Sequence, residues 1–123
     1  MKEKYEKWTR DFMQAWKNLD GDAAVATLTP DVEYYENPID PPCANFDEVE
    51  KLWKVVQYNQ KDIDYTSEII IFDDERAVIN WQLTRTTVPG NKRQRFDGVF
   101  LVSVNEAGKC TFFKQWRYIK EEK

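Results

Sequence analysis

The chain has 123 residues, a formal net charge of −4 and a pI near 4.9; that length fits a single domain, 1–123, and that charge offers no field to gather phosphate or anionic lipid, which excludes nucleic acid and membrane surfaces as first partners. It contains no histidine, and its two cysteines, Cys43 and Cys110, form no CxxC pair, so His-dependent triads, HExxH metal sites, zinc ribbons and disulfide frameworks drop out, no metal or cofactor is implied, and acid–base chemistry falls to Asp, Glu, Lys, Tyr, Cys or water. No run approaches the ~20 apolar residues of a membrane span, and residues 1–7 lead into an amphipathic segment where a signal peptide needs an apolar stretch, so a soluble cytoplasmic protein is expected.

Tyr5, Trp8, Phe12, Ala15, Trp16 and Leu19 recur at spacings of three and four and predict a helix with one aromatic stripe, ended by Gly21. Asp20-Gly21-Asp22 then caps a second short helix through Ala23, Ala24, Val25 and Leu28, stopped before Pro30 because proline disfavours helix in its predecessor. Residues 32–36 read as a short strand ended by Asn37-Pro38, and Pro38, Pro41 and Pro42 make the next segment an irregular loop. Asn45-Phe46-Asp47-Glu48 has the form of a capping box, and Phe46, Val49, Leu52, Trp53 and Val56 continue at helical spacing. From Asp62 the period changes to two. Four strands at about 62–72, 75–88, 92–104 and 108–119 are joined by turns at Asp73-Asp74, Pro89-Gly90-Asn91 and Glu106-Ala107-Gly108, so consecutive strands pair antiparallel. Ala77, Ile79, Trp81 and Leu83 share one face, as do Phe96, Gly98, Phe100, Val102 and Val104. Three helices followed by a long meander predict an α+β domain, the helices covering the apolar face of a twisted antiparallel sheet.

This order, with the stretches Ala15-Trp16-Lys17-Asn18-Leu19-Asp20-Gly21-Asp22, Pro30-Asp31-Val32-Glu33-Tyr34-Tyr35-Glu36-Asn37-Pro38 and Phe96-Asp97-Gly98-Val99-Phe100 running on to Gln115-Trp116, resembles the nuclear transport factor 2-like superfamily, and within it the SnoaL-like and ketosteroid-isomerase-like groups. The resemblance implies a cone, a strongly curved sheet wrapped round the three N-terminal helices, with a cavity on the concave side and assembly as a homodimer. Members use that cavity for isomerisation, cyclisation, dehydration or plain binding, so the fold alone does not give the function. In enzymes resembling ketosteroid isomerase the proton-shuttling carboxylate would fall on Asn37, the second acid on Phe100 and the helix tyrosine near Gln14 or Ala15. None of these can play the part, which argues against steroid isomerisation.

Strand parity offers other polar groups. If Asn37 faces the cavity, Tyr35 and Glu33 turn with it, while Tyr34 and Glu36 point outward; a bulge near the proline would reverse this. Tyr35 and Asn37 would then orient a carbonyl or hydroxyl and Glu33 would act as a base, or the strand is half exposed and the glutamates merely solvated. Asp97 reads as a convex-face residue paired with Arg95 or Lys92. On the last strand the resemblance places Phe113, Gln115 and Arg117 inward, opposite Cys110, Phe112, Trp116 and Tyr118; Arg117 suits a ligand carboxylate or, equally, a salt bridge to a helix glutamate. Trp8, Phe12, Trp16, Trp53, Trp81, Phe96 and Phe100 form either a filled core or the lining of an apolar pocket. The basic run Lys92-Arg93-Gln94-Arg95 reads as a solvated hairpin that discourages edge pairing. The candidate ligand site is thus Trp16, Trp53, Trp81, Phe96, Phe100 and Phe113 with Tyr35, Asn37, Gln115 and Arg117, for a small, mostly apolar organic ligand bearing one or two polar groups. The alternatives are a cofactor-independent isomerase, cyclase or dehydratase, a non-catalytic binding module, and a dimeric protein-interaction or structural domain. A carboxylate in the cavity favours the first, an apolar cavity the second, and a filled cone the third.

Overall fold

The aromatic stripe forms α1, Lys2–Lys17, in the computed structural model, which describes residues 1–122. Tyr5, Trp8, Phe12, Met13 and Trp16 make its buried face. The helix ends earlier than its periodicity suggests: Asn18 is the C-cap and Leu19 takes the left-handed φ of 57°. Gly21 instead opens α2, Gly21–Val25, which Asp20 caps by accepting from the Ala23 N–H at 3.0 Å. The glycine is needed for space, since a Cβ there would collide with the Trp53 carbonyl of the next helix.

Leu28, expected in the second helix, begins the strand β1, Leu28–Tyr35, and Pro30 lies inside it. A proline is tolerated there because β1 is an edge strand, bonded to one neighbour only. α3, Phe46–Lys54, starts at Asn45, which accepts from Glu48 N–H at 3.1 Å, while the Glu48 carboxylate reaches back to Ala44 N–H at 2.9 Å. A separate short turn of helix, α4, Val56–Asn59, follows. No helix among the described residues is long and apolar enough to cross a membrane.

β2 (Gln60–Phe72), β3 (Ala77–Thr87), β4 (Arg93–Val104) and β5 (Cys110–Glu121) pair as successive antiparallel neighbours through the three turns read from the sequence. The sheet order is β1-β5-β4-β3-β2, and β1 joins β5 in parallel, a pairing that no local pattern announces. The result is an α+β fold in which the helices pack on a curved, mostly antiparallel five-stranded sheet. Ala77, Ile79, Trp81 and Leu83 of β3 and Phe96, Phe100 and Val102 of β4 form its fully buried inner face. On β5, Ser103 pairs with Phe112 but Val104 pairs with Cys110, so Thr111 is an extra residue that bulges the strand. The bulge turns Cys110 inward, correcting its expected place beside Phe112, Trp116 and Tyr118; burial pushes its thiol up to about 12. Trp116 and Tyr118 are exposed and Phe112 half-buried.

Candidate functional site

The stripe of α1 does not close completely on β5, and residues of α3 and α4 complete the wall of the gap between them. A cavity of about 210 Å³ remains there. Phe12, Trp16, Tyr34, Trp53 and Phe113 form its floor, with Trp53 edge-on to Phe12 at 5.1 Å and to Trp16 at 5.7 Å, and Tyr34 stacked on Phe113 at 4.4 Å between ring centres. Both floor indoles are satisfied within the wall: Trp16 Nε1 donates to Gln60 Oε1 at 2.8 Å and Trp53 Nε1 to Tyr34 Oη at 3.2 Å. The floor is therefore apolar apart from one hydroxyl. Burial, reinforced by the charge of Glu36, drives the Tyr34 phenol well above its ordinary pKa. It stays protonated, and having accepted from Trp53 it has its own proton left to donate.

The polar side of the cavity is built from Glu36, Gln60, Arg85, Gln115 and Arg117. Glu36 follows the last residue of β1 and is tied to β5 twice. Its backbone carbonyl accepts from Gln115 Nε2 at 2.9 Å, and its Oε1 lies 3.3 Å from Arg117 Nη1. Burial raises the Glu36 carboxyl above the ordinary value of 4.5, and the charge and hydrogen bond of Arg117 offset part of that rise. Arg85 stands across the mouth on β3. Its Nε donates to Gln94 Oε1 at 3.0 Å and its guanidinium carbon lies 4.6 Å from the centre of the Phe96 ring. Burial and the nearby Arg117 both lower its pKa. No group of three or more His, Cys, Asp or Glu side chains suited to a metal ion occurs among the described residues.

Of the candidate residues read from the sequence, Trp16, Trp53, Phe113, Gln115 and Arg117 line this cavity. Trp81, Phe96 and Phe100 do not. They form a buried layer beneath it, Trp81 lying 5.0 Å from Phe100 and 5.5 Å from Trp16. Tyr35 and Asn37 face away. Tyr35 packs on Phe112 at 5.7 Å with the Lys114 ammonium over its ring, and Asn37 closes the following turn, its Oδ1 accepting from the Ile39 and Asp40 N–H groups. Parity is thus the reverse of the expectation: Tyr34 and Glu36 point in, while Glu33 is exposed. The cause lies in the parallel pairing, where the register slips between Leu28 and Glu33 and then sets Tyr34 beside Phe113. Phe113 was itself expected inward, so the β1–β5 pairing was the missing signal for Glu36. Arg117 finds its partner at this strand end and not on a helix. Asp97 is on the convex side, held by Asn80 at 2.9 Å and Gln82 at 3.0 Å in place of Arg95 or Lys92.

Comparison with known proteins agrees with this architecture. A family model described as a SnoaL-like domain matches residues 9–113. No curated protein matches the chain. Among solved structures, the epoxide hydrolase/cyclase-like enzyme SalBIII of salinomycin pyran ring formation is 12% identical over 98% of each chain, with a TM-score of 0.82. A Δ5-3-ketosteroid isomerase from Mycobacterium sp. is 14% identical over 93% of this chain and 96% of its own, with a TM-score of 0.73. An LEH-like epoxide hydrolase from M. tuberculosis is 19% identical over 91% of this chain and 80% of its own, also at 0.73. At these identities the likeness is one of fold.

Proposed function

The chain belongs to the SnoaL-like family, in the nuclear transport factor 2-like superfamily, and from that premise we propose that it is a cofactor-independent enzyme that moves a proton on a compact organic substrate, with Glu36 as the base. One observation carries this reading: the cavity wall holds an ionisable carboxylate whose proton affinity burial has raised, which brings a general base closer to neutral pH. Arg117 pairs with that carboxylate, and Gln115 anchors the residue through its backbone carbonyl. The substrate's apolar body would lie on Phe12, Trp16, Trp53 and Phe113, with a carbonyl directed at Tyr34. Glu36 would take a proton from the carbon next to the carbonyl. The electron pair would move to the carbonyl oxygen, where the Tyr34 O–H and the Arg117 guanidinium stabilise it, and the same carboxyl would return the proton elsewhere or assist loss of a leaving group. At about 210 Å³ the cavity is below the 300–1,000 Å³ usual for drug-sized ligands, which favours a single ring or short chain over four fused rings. That an isomerase and a cyclase-like enzyme are among the solved neighbours supports this class of reaction.

The test is solvent exchange. Small cyclic and aromatic ketones and aldehydes with enolisable C–H bonds are incubated with the protein in D₂O and followed by NMR. Enzyme-proportional deuteration is expected with wild type and not with Glu36→Gln. Retained ligand in native mass spectrometry without exchange of any probe would leave a binding module in its place.

A further inference from the structure

The cavity carries a positive charge that its own wall does not neutralise. Two guanidiniums face it, Arg85 and Arg117, against the single carboxylate of Glu36, and Arg117 is the one paired with it. Arg85 belongs to none of the ion pairs among the described residues. Its one side-chain hydrogen bond is spent on Gln94 through Nε, so both Nη groups have no acceptor among the described residues. Nor is Arg85 a loose surface side chain. It is half-buried, and it lies flat enough on the structure to place its guanidinium carbon 4.6 Å from the Phe96 ring centre, with that of Arg117 5.9 Å from the same ring. The Nη groups are open to the cavity, a second cation stands in the same wall, and a planar fork fixed by an amide and a ring matches a two-oxygen planar anion best.

We infer that the cavity takes a compact organic carboxylate, its anionic head received by Arg85 beside Arg117 and its apolar body resting on the aromatic floor of Trp16, Trp53 and Phe113. This deepens the proposed function, on which it rests for the cavity being a ligand site, by naming the substrate class. Glu36 and the ligand carboxylate are then kept apart by the two arginines, each anion having one guanidinium of its own.

Matched probes test it. Benzoate, phenylacetate and cyclohexanecarboxylate are each titrated against the primary amide of the same skeleton, followed by the fluorescence of the floor tryptophans and by calorimetry. In wild type the carboxylate should bind at least roughly tenfold more tightly than its amide, the effect of one charge-assisted bidentate contact. The ratio should fall to about one in Arg85→Gln, take an intermediate value in Arg85→Lys, and stay at the wild-type value in Arg95→Gln, a residue paired with Glu122 away from the cavity. Equal binding of acid and amide, no binding of any carboxylate at about 10 mM, or a ratio unmoved by both Arg85 substitutions in proteins that melt like wild type would overturn the inference. These readouts need no turnover. A carboxylate preference without deuterium exchange defeats the base role of Glu36 alone, and exchange on a neutral ketone without a carboxylate preference defeats the Arg85 inference alone.

Discussion

Replacing Trp81 asks whether the cone is filled below the cavity. The residue is fully buried, does not line the cavity, and meets Phe100 at 5.0 Å, Trp16 at 5.5 Å and Phe96 at 6.0 Å between ring centres. Truncation to alanine must therefore open a new void, at ~3–5 kcal/mol for a large aromatic in a packed core. One contribution runs the other way. Trp81 Nε1 is buried with no hydrogen-bond partner among the described residues, and such a donor costs ~1–3 kcal/mol. Phenylalanine removes that donor, keeps a ring in the stack, and gives up the burial of only a few carbons at ~0.8 kcal/mol per methylene equivalent. Trp81→Phe should thus lie within about 1 kcal/mol of wild type and Trp81→Ala, which also loses the donor, about 2 kcal/mol below it. At ~2.1 cal/mol/K of unfolding entropy per residue, each kcal/mol shifts Tm by roughly 4 °C in a 123-residue domain. Thermal melts should then place the alanine variant roughly 8 °C down and the phenylalanine variant within roughly 4 °C, with urea midpoints agreeing at unchanged m. An alanine variant losing less than about 1 kcal/mol would mean that the void already reaches Trp81. A phenylalanine variant as unstable as the alanine one would mean that Nε1 is bonded in solution. Either result refutes the reasoning.

Because Asn37 is turned into a surface turn and Phe100 is buried beneath the cavity, the protein should not isomerise a β,γ-unsaturated ketosteroid above the buffer rate, and Asn37→Asp should not change that; turnover proportional to enzyme and lost on mutating Trp53 would contradict it. Burial holds the Glu36 pKa above its unfolded value, so the folded state binds the extra proton and stability falls as pH rises from about 4.5 through the folded pKa. Glu36→Gln should flatten that slope and melt no lower than wild type at pH 7, and a variant that melts lower at pH 7 but not at pH 4 would reverse the sign. We propose that the outward residues Phe112, Trp116 and Tyr118 form a homodimer face. Sedimentation at micromolar concentration should give a dimer that Trp116→Glu dissociates, whereas a monomeric wild type would remove the proposal.

What could be read from the sequence is what short-range physics dictates. The stripe of α1 from Tyr5 to Trp16, the Asn45 cap, the alternation of β3 and β4 and all three hairpin turns depend on residues within a few positions of one another, and each is where the pattern puts it, with Leu19 alone falling past the helix end. The inward face of Phe113, Gln115 and Arg117 came from the family resemblance, and Cys110 fell outside it because a bulge of one residue leaves no mark in composition. Glu36 was missed for a related reason. Parity counted from Asn37 assumes that the polar end of the strand faces the cavity, whereas Tyr34, stacked on Phe113, decides the orientation of the strand. Gly21 was read as a helix stop, a local role, when the demand on it comes from a helix some thirty positions on.

The parallel joint between β1 and β5 also sets the order in which the molecule can assemble. β2 to β5 are linked by tight turns and can zip together one hairpin at a time, but Glu36 and Gln115 are 79 residues apart in the chain. Closing a loop of that length costs more chain entropy than forming any of the three hairpins, so β1 should dock after the meander has formed. Glu36, its backbone anchor Gln115 and its partner Arg117 therefore meet only after the meander is in place. A perturbation that frays β1 from the sheet edge would dismantle them while the aromatic layer around Trp81 is still intact, and the proposed role of Glu36 would be lost in a population that a melting curve still counts as folded.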